Sequence, residues 1–248
     1  YPITVVSIFV NPKQFGPGED YEKYPRTLDE DLKKLYEIKC PDHHLIILAP
    51  QSPSEIFPQD IELELSVPRL ESILCGKTRP GHFQGVLSVV YQLFNLITPT
   101  TAYFGKKDFQ QLMIIEKMVK DLSLDIEIKP VNLVRDEQGL ALSSRNQYLS
   151  EKEKELSLNL YQSLSQTKEI LIKDNPNKES VQKLLNEQIK KSPELQYDYL
   201  EVRNAKDLSE FNHFDQNIVI LAAAKVGSTR LIDNLEVSLS EREGESHA

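Results

Sequence analysis

The feature that most constrains this chain is the exchange, through its first half, of short continuous apolar runs with stretches of helical period. Residues 3–10 (ITVVSIFV) and 45–49 (LIILA) are apolar without alternation, the pattern of strands covered on both faces in a parallel sheet. The first stops at Asn11-Pro12 and the second at Pro50, both turn signals. Between them, Thr27-Leu28-Asp29-Glu30 has the Thr-x-x-Glu form of a capping box and predicts a helix over 28–38. Residues 61–67 alternate apolar and acidic, predicting a half-exposed strand. RPGHFQG (79–85) reads as a polar loop, and Val86, Val89, Val90, Leu93 and Ile97 then share one helical stripe. A strand at 101–104 leads into Gly105-Lys106-Lys107-Asp108. Asp108 is the predicted cap, with Gln111 three residues on, of a helix burying Leu112, Ile115, Val119 and Leu122. Another strand is predicted at 125–129. This order of elements is that of a doubly wound α/β sheet.

The second half follows a different plan. A turn at 136–139 and a polar loop at 142–146 precede Ser150 and Glu153, a second capping-box pair, which opens a long helix. Residues 168–188 read as helical and solvated. Strands are predicted at 197–202, 218–224 and 231–235, so this half is a small α+β unit. A boundary near Leu133 gives domains 1–133 and 134–248, with a polar, frayed end at 240–248.

The formal net charge of −9 disfavours general nucleic-acid binding but leaves room for a local basic pocket. No apolar run approaches the roughly 18 residues of a membrane span. The start shows no secretory leader and no initiator Met, so position 1 is expected not to be a natural start. Cys40 and Cys75 lack metal or redox spacing and read as small, buried side chains in a reducing cytosol. Gly-x-Gly-x-x-Gly, Walker and Gly-x-Ser-x-Gly motifs are all missing, which weighs against dinucleotide dehydrogenases, P-loop kinases and serine hydrolases.

Open α/β sheets bind ligands beyond the carboxyl ends of their strands. That rule selects 11–16, 105–108 and the stretch around Val134 and Arg135. Lys106 and Lys107 precede a helix start, where backbone N–H groups and the helix dipole favour phosphate; from local sequence alone a solvated Lys pair on a surface turn is the preferred reading. Gln14 and Gln111 offer amides suited to a ligand with hydroxyls and a carboxylate, or are a loop residue and a capping side chain. Ser143, Ser144 and Arg145 could clamp a triphosphate, though Ser-Ser-Arg is common in loops. His82 could donate to a ligand carboxylate or satisfy loop carbonyls. His43 and His44 match no metal spacing. Asp29, Glu30 and Asp31 could hold Mg²⁺ through water, but acids at a helix start are explained by the dipole alone.

Taken together, SIFVNPKQFGPGEDYEKYPRT (7–27), RPGHFQGV (79–86), YFGKKDFQQL (103–112), GLALSSRNQYLS (139–150) and AAKVGSTRLIDN (223–234) resemble the pantothenate synthetases in order and spacing over nearly the whole chain. The resemblance implies a Rossmann-like N-terminal domain with a smaller α+β C-terminal lid domain, a cytoplasmic homodimer, and no membrane or nucleic-acid partner. It implies two steps: pantoate and ATP give pantoyl adenylate and pyrophosphate, and β-alanine then displaces AMP. On the family pattern Gln14 and Gln111 hold pantoate, with Gln14 also bordering β-alanine, and Arg79 and His82 line that side. Gly105, Lys106, Lys107 and Asp108 contact ATP, with Lys107 on its phosphates and Mg²⁺ arriving mainly with the nucleotide. Val134 packs by the adenine, and Leu142, Ser143, Ser144 and Arg145 form a loop closing over the phosphates. Lys106 stands where the family usually has Glu.

The family also has a first strand and a His-x-Gly-His-type motif upstream of the strand at 3–10, and neither occurs in this sequence. The expectation is a truncated or incompletely recorded version of an active enzyme, its neighbouring strands short of backbone partners at a cost of several kcal/mol, roughly. The competing readings are another adenylyl- or cytidylyltransferase, an inactive truncated form, or a non-catalytic dimeric binding protein of the same fold.

Overall fold

The computed structural model describes residues 3–38, 44–57, 61–174 and 176–239. In chain order the elements are β1 (Ile3–Ser7), α1 (Leu28–Glu37), β2 (His44–Leu48), α2 (Pro68–Glu71), α3 (Leu74–Thr78), α4 (His82–Ile97), β3 (Thr101–Gly105), α5 (Phe109–Asp121), β4 (Glu127–Val131), α6 (Glu151–Asp174), α7 (Lys178–Lys191), β5 (Gln196–Asn204), β6 (Asn217–Val226) and β7 (Thr229–Ser238). Short 3-10 turns at Pro12–Gln14, Lys106–Asp108 and Ser144–Tyr148 carry six of the candidate site residues: Gln14, Lys106, Lys107, Asp108, Ser144 and Arg145. The chain divides into two compact units, Tyr1–Ala102 with Ile114–Ile128, and Tyr103–Met113 with Lys129–Ala248.

The first unit is α/β. β1 and β2 pair in parallel, from Ile3 opposite His44 to Ser7 opposite Leu48. Its buried apolar side chains lie on α2 and α3 (Leu70, Leu74), on α4 (Phe83, Val86, Leu87, Val90) and on the later turns of α5 (Ile114, Ile115, Met118). Among the described residues β1–β2 and β3–β4 are separate two-stranded sheets. The strands read as buried on both faces are therefore open: Ile3 is 63% exposed and Ile46 49%. A two-stranded ribbon cannot cover its own faces, whatever its sequence.

Several local expectations change in the same physical way. Residues 61–67 form no strand, because alternation supplies no ladder partner; instead Val67 precedes α2 and its N–H donates to Glu71 Oε1 at 2.6 Å. RPGHFQG is not one loop. Gly81, at φ +82°, turns the chain, and α4 starts at His82. Thr27 does not close a capping box; its hydroxyl lies 3.4 Å from Asp31 Oδ2. Leu122 falls beyond α5 and is exposed. Residues 168–188 divide between α6 and α7, and Leu171, Val181, Leu185 and Gln188 in that stretch are buried rather than solvated. Cys75 is buried as expected, whereas Cys40, His43 and 240–248 lie outside the described residues.

The second unit is α+β. β5, β6 and β7 form an antiparallel sheet with β6 central. Alternate β6 residues Ile218, Ile220, Ala222, Ala224 and Val226 share one core with Leu160, Leu164 and Leu171 of α6 and Val181 and Leu185 of α7. The Ser150–Glu153 capping box forms as expected, with Ser150 N–H donating to Glu153 Oε2 at 2.9 Å and Glu153 N–H to Ser150 Oγ at 3.4 Å. Because side chains alternate along a strand, β7 presents Asp233, opposite Ala222, to the helix side, and Asn234, opposite Leu221, to the other face.

Candidate active site

In the first unit the loop after β1 is held from below by α4. Asn11 is buried, and its Nδ2 donates to Gly85 O at 3.0 Å and to Gln14 Oε1 at 3.1 Å. The second bond sets the Gln14 amide, with its acceptor end toward Asn11 and its donor end away. Gly85 allows this contact: a Cβ there would lie 2.2 Å from Lys13 O and 2.6 Å from Gln14 N.

A second set of bonds holds the rest of the loop. The Arg79 guanidinium grips Glu19 through Nε (2.7 Å) and Nη2 (2.6 Å), and Nη2 also donates to Gln14 O at 3.3 Å. His82 Nδ1 sits 2.8 Å from Gln14 O, which can only accept, so Nδ1 carries the proton and Nε2 accepts from Arg79 Nη1 at 2.9 Å. Arg79 and His82 thus spend their nitrogens on the loop and on each other. Burial pushes the Glu19 carboxyl up, but the Arg79 hydrogen bonds and charge and the Gly16 N–H outweigh it, leaving the pKa below its ordinary value. A depressed carboxylate stabilises the fold above the unfolded pKa, and that contribution is lost as pH falls through the folded one. Stability of Glu19→Gln is therefore expected to fall less than that of the parent chain on acidification from pH 6 to 3, by about 2 kcal/mol or less, in urea unfolding at each pH. Parallel pH curves would remove Glu19 from this role.

In the second unit the loop after β3 is a 3-10 turn, Lys106–Asp108, running directly into α5. Asp108 closes that turn, and its carboxylate lies 3.8 Å from Lys107 Nζ. Lys106 Nζ pairs with Glu236 at 2.6 Å. Asn234 Nδ2 donates to both Lys106 O and Lys107 O, each at 2.9 Å. Gly105 is exposed, and a Cβ there would meet nothing within 4 Å, so space is open beside this turn. Gln111 lies half-buried in the first turns of α5.

Beside it, Arg135 forks onto the buried Asp233 carboxylate at 2.7 and 2.8 Å, donates to Gly139 O and Asn234 O at 3.1 Å each, and stacks 3.8 Å over Tyr161. Burial raises the Asp233 pKa, against the lowering by Arg135, the Asn234 N–H and Lys107. The Arg135–Ala141 bridge sets Val134 next to Leu142, whose N–H donates to Val134 O at 3.0 Å. Both are exposed apolar side chains, 60% and 52%, a surface suited to a flat ring. Ser143 Oγ accepts the Arg145 N–H at 3.2 Å and so caps the Ser144–Tyr148 turn, with Ser144 exposed and Arg145 half-buried. No cluster of three His, Cys, Asp or Glu side chains that could hold a metal occurs among the described residues.

The sequence-predicted residues thus fall into two sets. Gln14, Arg79 and His82 share one hydrogen-bonded cluster in the first unit, while Gly105, Lys106, Lys107, Asp108, Gln111, Val134, Leu142, Ser143, Ser144 and Arg145 belong to the second. Sequence reading passed over Asn11, Glu19 and Gly85 in the first set and Arg135, Asp233 and Asn234 in the second as holding residues.

The family model for pantoate–β-alanine ligase matches residues 1–236. The chain belongs to the pantoate–β-alanine ligase family. Within that family it is 45% identical over 235 residues to the pantothenate synthetase of Caldicellulosiruptor bescii, covering 95% of this chain and 82% of that one. The crystal structure of the pantoate–β-alanine ligase from Thermus thermophilus superposes with a TM-score of 0.86 at 40% identity, covering 94% of this chain and 83% of that one. The enzyme from Francisella tularensis, solved with β,γ-ATP and β-alanine, superposes with a TM-score of 0.71 at 33% identity over 94% of this chain and 78% of that one.

Proposed function

We propose that this pantoate–β-alanine ligase family member condenses pantoate with β-alanine at the expense of ATP, through pantoyl adenylate. The observation that carries the reading is the Lys106–Asp108 turn: a lysine pair on a helix start, its backbone held by Asn234, beside an open Gly105. Such a turn places positive charge and backbone N–H groups where phosphate binds. A pantoate carboxylate oxygen attacks the α-phosphorus, the new C(O)O–P bond forms, and the bond to the β-phosphate oxygen breaks with release of pyrophosphate. The β-alanine amine then attacks the acyl carbon, its proton is lost, and AMP leaves with the former carboxylate oxygen.

No protein nucleophile is needed, so the chain acts by positioning and by neutralising charge. In this reading Lys107 and Arg145 face the phosphates, Ser143 and Ser144 donate to them, and Val134 and Leu142 flank the adenine. Gln14 and Gln111 bind pantoate, with Gln14 also bordering β-alanine. Arg79 and His82 serve that side through the Gln14 carbonyl. Mg²⁺ is carried on the triphosphate oxygens. A cytoplasmic homodimer follows from the family resemblance. No helix among the described residues is long and apolar enough to cross a membrane. The retained lysine turn and Ser-Ser-Arg loop favour an enzyme over a non-catalytic binding protein.

ATP–pyrophosphate exchange tests the reading. The expected result is exchange that requires pantoate and is not supported by other hydroxy acids or by β-alanine alone. Exchange without pantoate would point to a different nucleotidyl acceptor.

A further inference from the structure

We infer that Asn234 is the positioning residue for the phosphate-binding lysine, acting through the backbone of the Lys106–Asp108 turn. The inference rests on the proposal that Lys107 meets ATP phosphates. Asn234 is 6% exposed and sits in the middle of β7, opposite Leu221. Its two Nδ2 hydrogens donate to Lys106 O and Lys107 O at 2.9 Å each. Two carbonyls of consecutive residues held by one amide fix the peptide plane between Lys106 and Lys107, and with it the direction in which the Lys107 side chain leaves the turn.

The amide is itself fixed. Its residue's own N–H donates to Asp233 Oδ1 at 2.7 Å, and its carbonyl accepts from Arg135 Nη2 at 3.1 Å. Two residues further along the same face of β7, Glu236 pairs with Lys106 Nζ at 2.6 Å. That contact draws the Lys106 side chain onto the sheet and distinguishes the two lysines: Lys106 is tied to β7, while Lys107 has a loose 3.8 Å contact with its neighbour Asp108. The face of β7 away from α6 and α7 is thus a platform for the turn, and the amide at 234 supplies the two donors that the Lys106 and Lys107 carbonyls take up.

The sharpest substitution is Asn234→Asp, which keeps the shape and turns donors into acceptors. A carboxylate facing two carbonyl oxygens is repelled; a protonated carboxyl donates to one of them. Titration calorimetry with MgATP on the full chain is expected to show affinity about tenfold weaker than the parent at pH 8, with the ratio narrowing to about threefold at pH 5.5. A merely structural role would give a ratio that tracks the fraction folded and does not narrow in acid. If Asn234→Asp does not fold, Asn234→Ala, which removes the donors without adding charge, is expected to weaken ATP binding about tenfold at both pH values. ATP affinity in the folded variant equal to the parent's overturns the inference. A parent chain that binds no MgATP overturns the phosphate reading beneath it and the inference with it. Pantoate-dependent exchange in the parent, measured in parallel, shows which of the two has failed.

Discussion

Lys107→Ala is expected to lower the rate of pantoyl-adenylate formation about a thousandfold, the scale on which removal of a preorganised charge-stabilising group acts. Stability is expected to change by less than about 0.5 kcal/mol. The two effects separate because the turn does not depend on that side chain: its carbonyls are held by Asn234, and the ion pair of the Lys107 ammonium with Asp108 is a loose 3.8 Å. Lys107→Arg keeps the charge but not the compact ammonium, and should recover part of the rate. Rapid-quench measurement of adenylate, alongside thermal unfolding, checks both halves. Turnover within a few-fold of the parent would remove Lys107 from the chemistry.

Gly85→Ala is expected to disrupt the Gln14 cluster of the first unit. Within α4 an alanine would by propensity alone stabilise the helix by roughly 1 kcal/mol. Here the new methyl would lie 2.2 Å from Lys13 O, 2.4 Å from Lys13 C and 2.6 Å from Gln14 N. These are backbone atoms, so no rotamer change relieves the contact, and overpacking of this kind costs about 1–3 kcal/mol or more. The loop carrying Asn11 and Gln14 must lift, breaking the Asn11 bond to Gly85 O. The expected signature is a net loss of stability in urea and a pantoate KM raised at least about tenfold. ATP affinity should stay within about twofold. A variant more stable than the parent with unchanged pantoate KM would contradict the close packing of Pro12–Gln14 on α4.

What the sequence made legible was local. The Lys106–Lys107 turn could be read because strand ends and helix starts follow from patterning, and the Ser150–Glu153 cap because its partners are three residues apart. The groups that hold the site were illegible for the opposite reason. Asn11 and Gly85 are 74 positions apart, Arg79 and Glu19 60, and Asn234 and Lys106 128. No short-range pattern encodes such pairs. Gly85 in particular looks like a weak point in a helix until the loop is placed against it.

Burial was misread where it depends on neighbouring layers rather than composition. Residues 3–7 are as apolar as a central strand, yet β1 has one described hydrogen-bonded neighbour, β2, and its side chains are half-buried or exposed. The acidic alternation at 61–67 is strand-like in every local respect and forms none, since a strand exists only with a partner. His82, read as a possible ligand donor, is committed on both ring nitrogens to Gln14 and Arg79, an assignment that required the three residues to be seen together.

On the proposed function, pantoate is joined to the α-phosphate of ATP before the amide bond forms. Pantoate labelled with ¹⁸O in both carboxylate oxygens tests it most directly. With ATP, Mg²⁺ and β-alanine present, the expected product is AMP carrying one ¹⁸O for each pantothenate made, because the attacking oxygen stays on phosphorus when the amine displaces AMP. Unlabelled AMP, or ADP with the label in inorganic phosphate, would contradict it.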